Sequence, residues 1–221
     1  MKKINIAIDG PSGAGKSSIS KSLASKLGYV HLDTGSMYRA VGYTGLKKGL
    51  KMDEEDKIVE MIENMDLVVK TDGSIFVDGE EITDKIRTDE ISMAASDVSK
   101  LKRVRENLVK MQQRIASKGG YIVDGRDICE VVLPDAEVKV FLTASAEERA
   151  KRRYLQNLSK GMDADYEKIL KETIARDYQD SHRDNSPLRK TEDAVEIDST
   201  KMSIDEVVEA IMELVRKAID D

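Results

Sequence analysis

A single cysteine, Cys129, stands in the 221 residues, which excludes an internal disulfide framework and any metal site built on clustered cysteines. Histidine is nearly as scarce: His31 and His182 form no acid–base or nucleophile constellation, and packing and solvent exposure are their expected roles. No apolar stretch approaches the ~20 residues of a membrane span. Lys2-Lys3 precede only a short strand-like run, unlike a leader peptide. An excess of basic charge is missing too. The net charge of −6 and pI near 5.2 argue against a general nucleic-acid or membrane-surface binder. Internal repeats and low-complexity tracts are absent. What remains, 40% hydrophobic and 35% charged, is the composition of a soluble chain long enough for one α/β domain with a modest insertion. The cytoplasm is its expected address.

The most informative segment is Gly10-Pro11-Ser12-Gly13-Ala14-Gly15-Lys16-Ser17, a complete G-x-x-x-x-G-K-[ST] phosphate loop. It follows the apolar run Ile4-Asn5-Ile6-Ala7-Ile8 and opens a helical pattern from Ser18 to Leu27, the strand–loop–helix setting the motif requires. Its glycines let main-chain N–H groups face an anion, and the helix N-terminus adds partial positive charge. Lys16 is placed to reach the β- and γ-phosphates of a nucleoside triphosphate, and the Ser17 hydroxyl to ligate Mg²⁺. A dinucleotide fingerprint is set aside, because Ser18 stands where its third glycine belongs and Lys16 would have no purpose. A guanine-nucleotide switch is excluded by the lack of N-K-x-D and D-x-x-G patterns.

Apolar runs alternate with 3.6-period segments, the pattern of an α/β fold with a parallel five-stranded sheet flanked by helices. Core strands are expected at 3–8, 29–32, 120–124, 138–142 and 194–197. Helices are expected near 16–27, 36–48, 101–117, 145–159, 164–180 and 203–218. The stretch from about Asp53 to Ala95 breaks this rhythm. Within it, Asp66 to Lys70 and Ile75 to Asp78 flank a Thr71-Asp72-Gly73-Ser74 turn and read as a β-hairpin. A small inserted antiparallel unit is the simplest account, equally compatible with a substrate-gripping subdomain and with a surface elaboration. The polar interruption Ser159 to Ala164 is equally compatible with a mobile lid and with a plain inter-helix turn.

Several polar clusters fall where strands end or helices meet, the usual ligand edge of an α/β sheet. Asp33-Thr34 opens a helix bearing Tyr38 and Arg39, and either residue also suits an N-cap. Asp124-Gly125-Arg126-Asp127 ends a strand. Arg176, Asp180 and Arg183 fall at i, i+4 and i+7 on one helical face, which also suits a solvated ion-pair stripe. Arg149, Arg152 and Arg153 precede the polar interruption, and Ser96, Arg103 and Arg105 lie at the exit from the inserted unit. An arginine-rich ring facing a phosphate loop in an acidic protein points to phosphoryl transfer onto a second anion.

Together with Ile86-Arg87-Thr88, Val104-Arg105-Glu106, Val132-Leu133-Pro134-Asp135-Ala136 and Pro187-Leu188, these motifs resemble the bacterial cytidylate kinases, nearly end to end. D-[ST]-G-x-x-Y-R and D-G-R-D make that resemblance specific. It implies transfer of the γ-phosphate of ATP to CMP or dCMP with Mg²⁺, in a monomer with no nucleic-acid or membrane partner. It implies a core at 1–36, 97–152 and 178–221, a nucleoside-monophosphate-binding insertion at about 37–96 and a lid at about 153–177. By motif position, residues 10–18 hold ATP with Arg153, while Lys16, Arg126, Asp127, Arg149 and Arg152 form the catalytic set. Thr34, Tyr38, Arg39 and Arg126 meet the acceptor phosphate side. Ser96, Arg105, Asp127 and Arg183 read cytosine, and Arg176 and Asp180 the ribose side. One departure stands out: Cys129-Glu130 occupies the place of the family's usual Gly-Thr, setting a carboxylate beside an anion site. Cys129 itself is expected to be a small buried filler.

Overall fold

The computed structural model describes residues 3–70, 72–183 and 185–220, so Lys2 and Thr71, named above, lie outside the described residues. Strands β1 (Ile6–Asp9), β2 (Val30–Asp33), β6 (Tyr121–Gly125), β7 (Val138–Thr143) and β8 (Val195–Asp198) form a parallel sheet in the order β2-β6-β1-β7-β8. All five anticipated core strands are present; four are displaced by one residue at one or both ends, whereas β1 begins three residues later than expected. Alternation along the strands divides the interior. Ile6, Ile8, Ile122, Val140 and Leu142 pack under α1 (Lys16–Leu27) and α8 (Ile204–Asp220). Ala7, Leu32 and Val123 pack on the other face, under α2 (Thr34–Lys47) and α5 (Lys102–Ala116).

Register matters more to the site than strand length does. Asp9 lies opposite Gly125, and Asp33 opposite Asp124, so the carboxyl ends of β1, β2 and β6 finish level. The segments that leave those ends therefore share one rim, at the point where the chain order reverses across β1.

The insertion is larger and more helical than the hairpin expectation. β3 (Leu67–Val69) and β4 (Ile75–Val77) do pair antiparallel, but β5 (Glu80–Glu81) adds a third strand. Asp78 and Gly79 turn the chain between β4 and β5 with φ of 50° and 80°. That pair is a second Asp-Gly hairpin signal, visible in the sequence and passed over. Two helices flank this small sheet, α3 (Glu55–Glu63) and α4 (Asp89–Val98), neither anticipated. Their signals were present: Ile58, Val59, Met61 and Ile62 bury one side of α3, and Thr88 caps α4 by accepting from the Ile91 amide at 3.3 Å. Their apolar faces join the α2–α5 core, so the insertion is packed into the domain rather than appended to it. On the other side, α6 (Ala146–Ser159) and α7 (Tyr166–His182) form a helical hairpin joined by the polar interruption.

After β6 the chain makes a single π-helical turn, Ile128–Val132. Asp9 anchors it, accepting from the amides of Ile128 and Cys129, each at 2.8 Å. Cys129 is 2% exposed, and burial, followed by the nearby Asp9 charge, pushes its thiol well above the usual range. It is the anticipated filler. Glu130 turns outward to Arg189, whose Nε lies 2.9 Å away. The departure from the family pattern therefore adds no carboxylate to the cleft wall. A water-soluble disulfide reagent is expected to leave the folded protein unlabelled and to release one equivalent of thiolate after denaturation. Fast labelling of the native state would show that this turn opens.

Candidate active site

A cleft of about 890 Å³ runs along the level strand ends. Its base is the phosphate loop. Gly10 crosses beside β7 at φ +151°, where a Cβ would lie 1.9 Å from the Leu142 carbonyl oxygen, so only glycine permits this path. Gly15, at φ +97°, opens α1 with no side-chain cap, and the amides of the first turn lie along the cleft. Lys16 Nζ donates to the carbonyls of Gly10 at 2.7 Å and Pro11 at 2.9 Å. Burial, then repulsion from Arg126, brings its ammonium down to about 7. A polyanion in the loop would reverse that shift.

Beyond Lys16, Ser17 Oγ donates to Asp124 Oδ2 at 3.1 Å, while the other Asp124 oxygen faces His31 Nε2 at 2.5 Å. Thr34 Oγ1 donates to the Asp124 carbonyl at 2.8 Å, tying the start of α2 to the end of β6. Asp33 is the N-cap of α2, accepting from the Ser36 amide at 3.1 Å, and it also holds Arg39 at 2.9 Å. Asp33 is thus the cap, and both Asp33 and Thr34 also line the cleft. Burial alone would raise the Asp33 carboxyl, but Arg39 and Ser36 hold it below the ordinary range.

The arginine ring is assembled through carboxylates. Arg105 forms a buried ion pair with Asp127, and Arg126 donates to Asp180 at 2.8 Å. Tyr38 lies beside Arg105, and burial raises its hydroxyl to about 12, so it stays a neutral donor. Arg176 makes no ion pair with another described residue. Burial and the neighbouring Arg126 lower its guanidinium, and burial and Arg105 lower that of Arg183. Burial is the larger cause of both shifts and the neighbouring positive charge the second, and a bound anion would offset both. Arg183 lies just past the end of α7 in extended backbone, not on its helical face, and one of its terminal nitrogens is buried without a partner.

On the opposite wall, Arg149 is 5% exposed and fully engaged. It donates to the carbonyls of Ala144 at 2.9 Å and Ser12 at 3.0 Å and to both oxygens of Asp177. It thus braces the phosphate loop against α7. Arg152 donates to the Ser199 carbonyl at 2.7 Å, and Arg153 reaches across to Asp89 of the insertion at 3.2 Å.

Every site residue anticipated from the sequence lines this cleft except Gly10 and Pro11, which contribute the carbonyls that hold Lys16. Arg103 turns away to Asp56 of α3. Three features went unanticipated: the His31–Asp124–Ser17 chain, the Asp177 brace, and a donor-side rim of Ser199, Met202, Ser203 and Ile204. Asp124 carried a signal, a carboxylate ending a strand within D-G-R-D. The rim, from the β8–α8 connection, carried none.

A phosphate loop set at the switch point of a parallel sheet and facing carboxylate-steadied arginines defines a P-loop kinase acting on a small anionic acceptor. The family model for cytidylate kinase matches residues 6–217. The cytidylate kinase of Caldicellulosiruptor bescii is 57% identical, with 99% of this chain and 98% of that one covered. That of Bacillus subtilis is 50% identical, with 98% of each covered. The chain belongs to the cytidylate kinase family. A solved structure of an uncharacterized protein from Eubacterium ventriosum matches with a TM-score of 0.57 at 13% identity, covering 97% of this chain and 99% of that one, a likeness of fold alone.

Proposed function

We propose that this protein transfers the γ-phosphate of ATP directly to CMP and to dCMP. The observation that carries the reading is the shared cleft: the loop with Lys16 faces the Arg39–Asp33, Arg105–Asp127 and Arg126–Asp180 pairs across one rim. An oxygen of the acceptor phosphate forms a bond to the γ-phosphorus as the bond to the β–γ bridging oxygen breaks, and ADP leaves with that electron pair. No general base is needed, because a phosphate monoester with a second pKa of about 6 is already largely deprotonated near neutrality.

Catalysis by this chain is therefore alignment and charge. The α1 amides and Lys16 cradle the donor, while Arg39 and Arg126 with Thr34 and Tyr38 fix the acceptor phosphate. Planar guanidinium forks suit paired phosphate oxygens and stay charged. Arg152, at the end of the core segment, and Arg153, at the start of the lid at about 153–177, approach the donor, and closure of the lid against the insertion at about 37–96 excludes competing water. Asp127, steadied by Arg105, accepts from the cytosine N4 amino group, where uracil presents an acceptor. Arg183 and Ser96 complete the base contacts, and Arg176 and Asp180 meet the ribose side.

The residues fit Mg²⁺ carried with ATP. Ser17 and Asp124 offer hard oxygen donors side by side, and such an ion takes most of its ligands from phosphates and water. Among the described residues no cluster of three or more His, Cys, Asp or Glu forms a dedicated metal cage. Ser17 would hold the ion, which when bound offsets charge on the β- and γ-phosphates. The chain acts as a monomer in the cytoplasm. The described residues of one chain line the cleft, and no helix among them is long and apolar enough to cross a membrane.

An ATP-consumption assay with CMP, dCMP, UMP and AMP tests the reading. Rapid turnover of the two cytidine nucleotides, slow turnover of UMP and none of AMP is expected. ATP binding or hydrolysis with CMP untouched would overturn it.

A further inference from the structure

His31 takes no part in the transfer described above, yet it is 6% exposed and its Nε2 sits 2.5 Å from Asp124 Oδ1. A carboxylate can only accept, so Nε2 carries the hydrogen in this contact. Asp124 is itself 3% exposed, and its second oxygen accepts the Ser17 hydroxyl at 3.1 Å. The parallel register explains the meeting. Asp33 pairs with Asp124, and His31 lies two residues before Asp33, on the same face of the sheet. A carboxylate held by one neighbour alone could rotate about its side-chain torsion. Held from both sides, Asp124 keeps one oxygen aimed at the loop.

We propose that His31 is a positioning residue for the donor site: it fixes the Asp124 carboxylate so that Ser17 keeps its lone pairs toward the triphosphate and its divalent cation. Groups that orient the surroundings of a metal by hydrogen bonds typically change its affinity or the activity by about 10–100-fold when removed. His31 does not line the cleft and reaches it only through Asp124, so its loss should act on the donor side and spare the acceptor.

This inference rests on the donor-site reading, and two amide variants isolate it. In His31→Gln the amide nitrogen stands near the position of Nε2 and still donates to Asp124. In His31→Asn it stands near Nδ1 and falls short. Mn²⁺ binding in the presence of ATP, followed by the paramagnetic resonance of free Mn²⁺, should match the parent in the Gln variant and weaken about tenfold in the Asn variant. The kcat should follow the same order, with the KM for CMP within about twofold of the parent throughout. Equal behaviour of the two variants, or a loss falling on the KM for CMP, overturns the proposal. Should neither variant fold, the ring ¹⁵N resonances of His31 in the unaltered protein decide: they should move on addition of Mg²⁺ and ATP, and unmoved resonances overturn it. Activity of the unaltered protein on CMP tests the functional reading separately, since the Mn²⁺ pattern requires only ATP.

Discussion

Replacing Lys16 by methionine is expected to reduce turnover with either cytidine nucleotide by about 10²–10³-fold, the scale for removing one donor aimed at developing charge. The unliganded fold should change little, because the substitution removes a buried ammonium repelled by Arg126, which offsets the lost attraction of Asp124, Asp9 and Asp180 and the lost donor to the Gly10 and Pro11 carbonyls. A melting temperature close to that of the parent, with turnover lost, separates a chemical role from a structural one. Near-normal rates would contradict the assignment of the loop.

The same lysine sets a pH dependence with a definite sign. Its folded value of about 7 lies below the ordinary 10.5, so burial of the charge costs stability fully below pH 7. That cost fades as pH rises from about 7 toward 10.5, where first the folded and then the unfolded chain loses the proton. Binding a triphosphate restores the ammonium. At pH 8, ATP binding should therefore draw close to one proton from solution, read by calorimetry in two buffers of different ionisation heat. The uptake should vanish in Lys16→Met.

Asp127→Ala is expected to act twice. Arg105 and Asp127 are 6% and 8% exposed, so removing the carboxylate strands a buried guanidinium. Breaking a buried pair from one side costs about 3–5 kcal/mol, seen as a lower denaturation midpoint. The carboxylate also meets the cytosine amino group in the proposed complex, so discrimination between CMP and UMP should fall by about 1–3 kcal/mol. Asp127→Asn separates the two effects. Its amide keeps the shape of the pair and offers a donor to the uracil O4, moving preference toward UMP. An unchanged CMP/UMP ratio in both variants, despite lower stability, would leave Asp127 a purely structural partner of Arg105.

The sequence and the structure agree wherever function is written in adjacent residues. Gly10 to Ser17 needs only its own backbone angles and a helix start, so the loop is legible without any partner. The five core strands are legible for a similar reason, since a buried parallel strand is a short apolar run between turns. The insertion is less so. Once a hairpin is assumed at 66–78, the helical spacing of Ile58 to Ile62 and of Ile91 to Val98 is easily passed over, although both helices bury the same core. His31 illustrates the opposite case. A lone histidine in a strand reads as packing, and nothing near it in sequence announces Asp124, 93 residues away.

Glycine placement, the lysine, the hydroxyl and the alternation of apolar runs are properties of contiguous chain, and they suffice for the phosphate loop, the sheet and the kind of chemistry. Which carboxylate steadies which arginine is a matter of strand register and helix packing. Arg105 meets Asp127 across 22 residues, Arg126 meets Asp180 across 54, and Arg149 reaches Ser12 across 137. Charged side chains find partners in space once burial makes isolation costly, and that demand exists only after the core has closed. The same closure sends Cys129 inward and Glu130 outward, so an unusual pair of residues leaves the cleft wall without an added carboxylate.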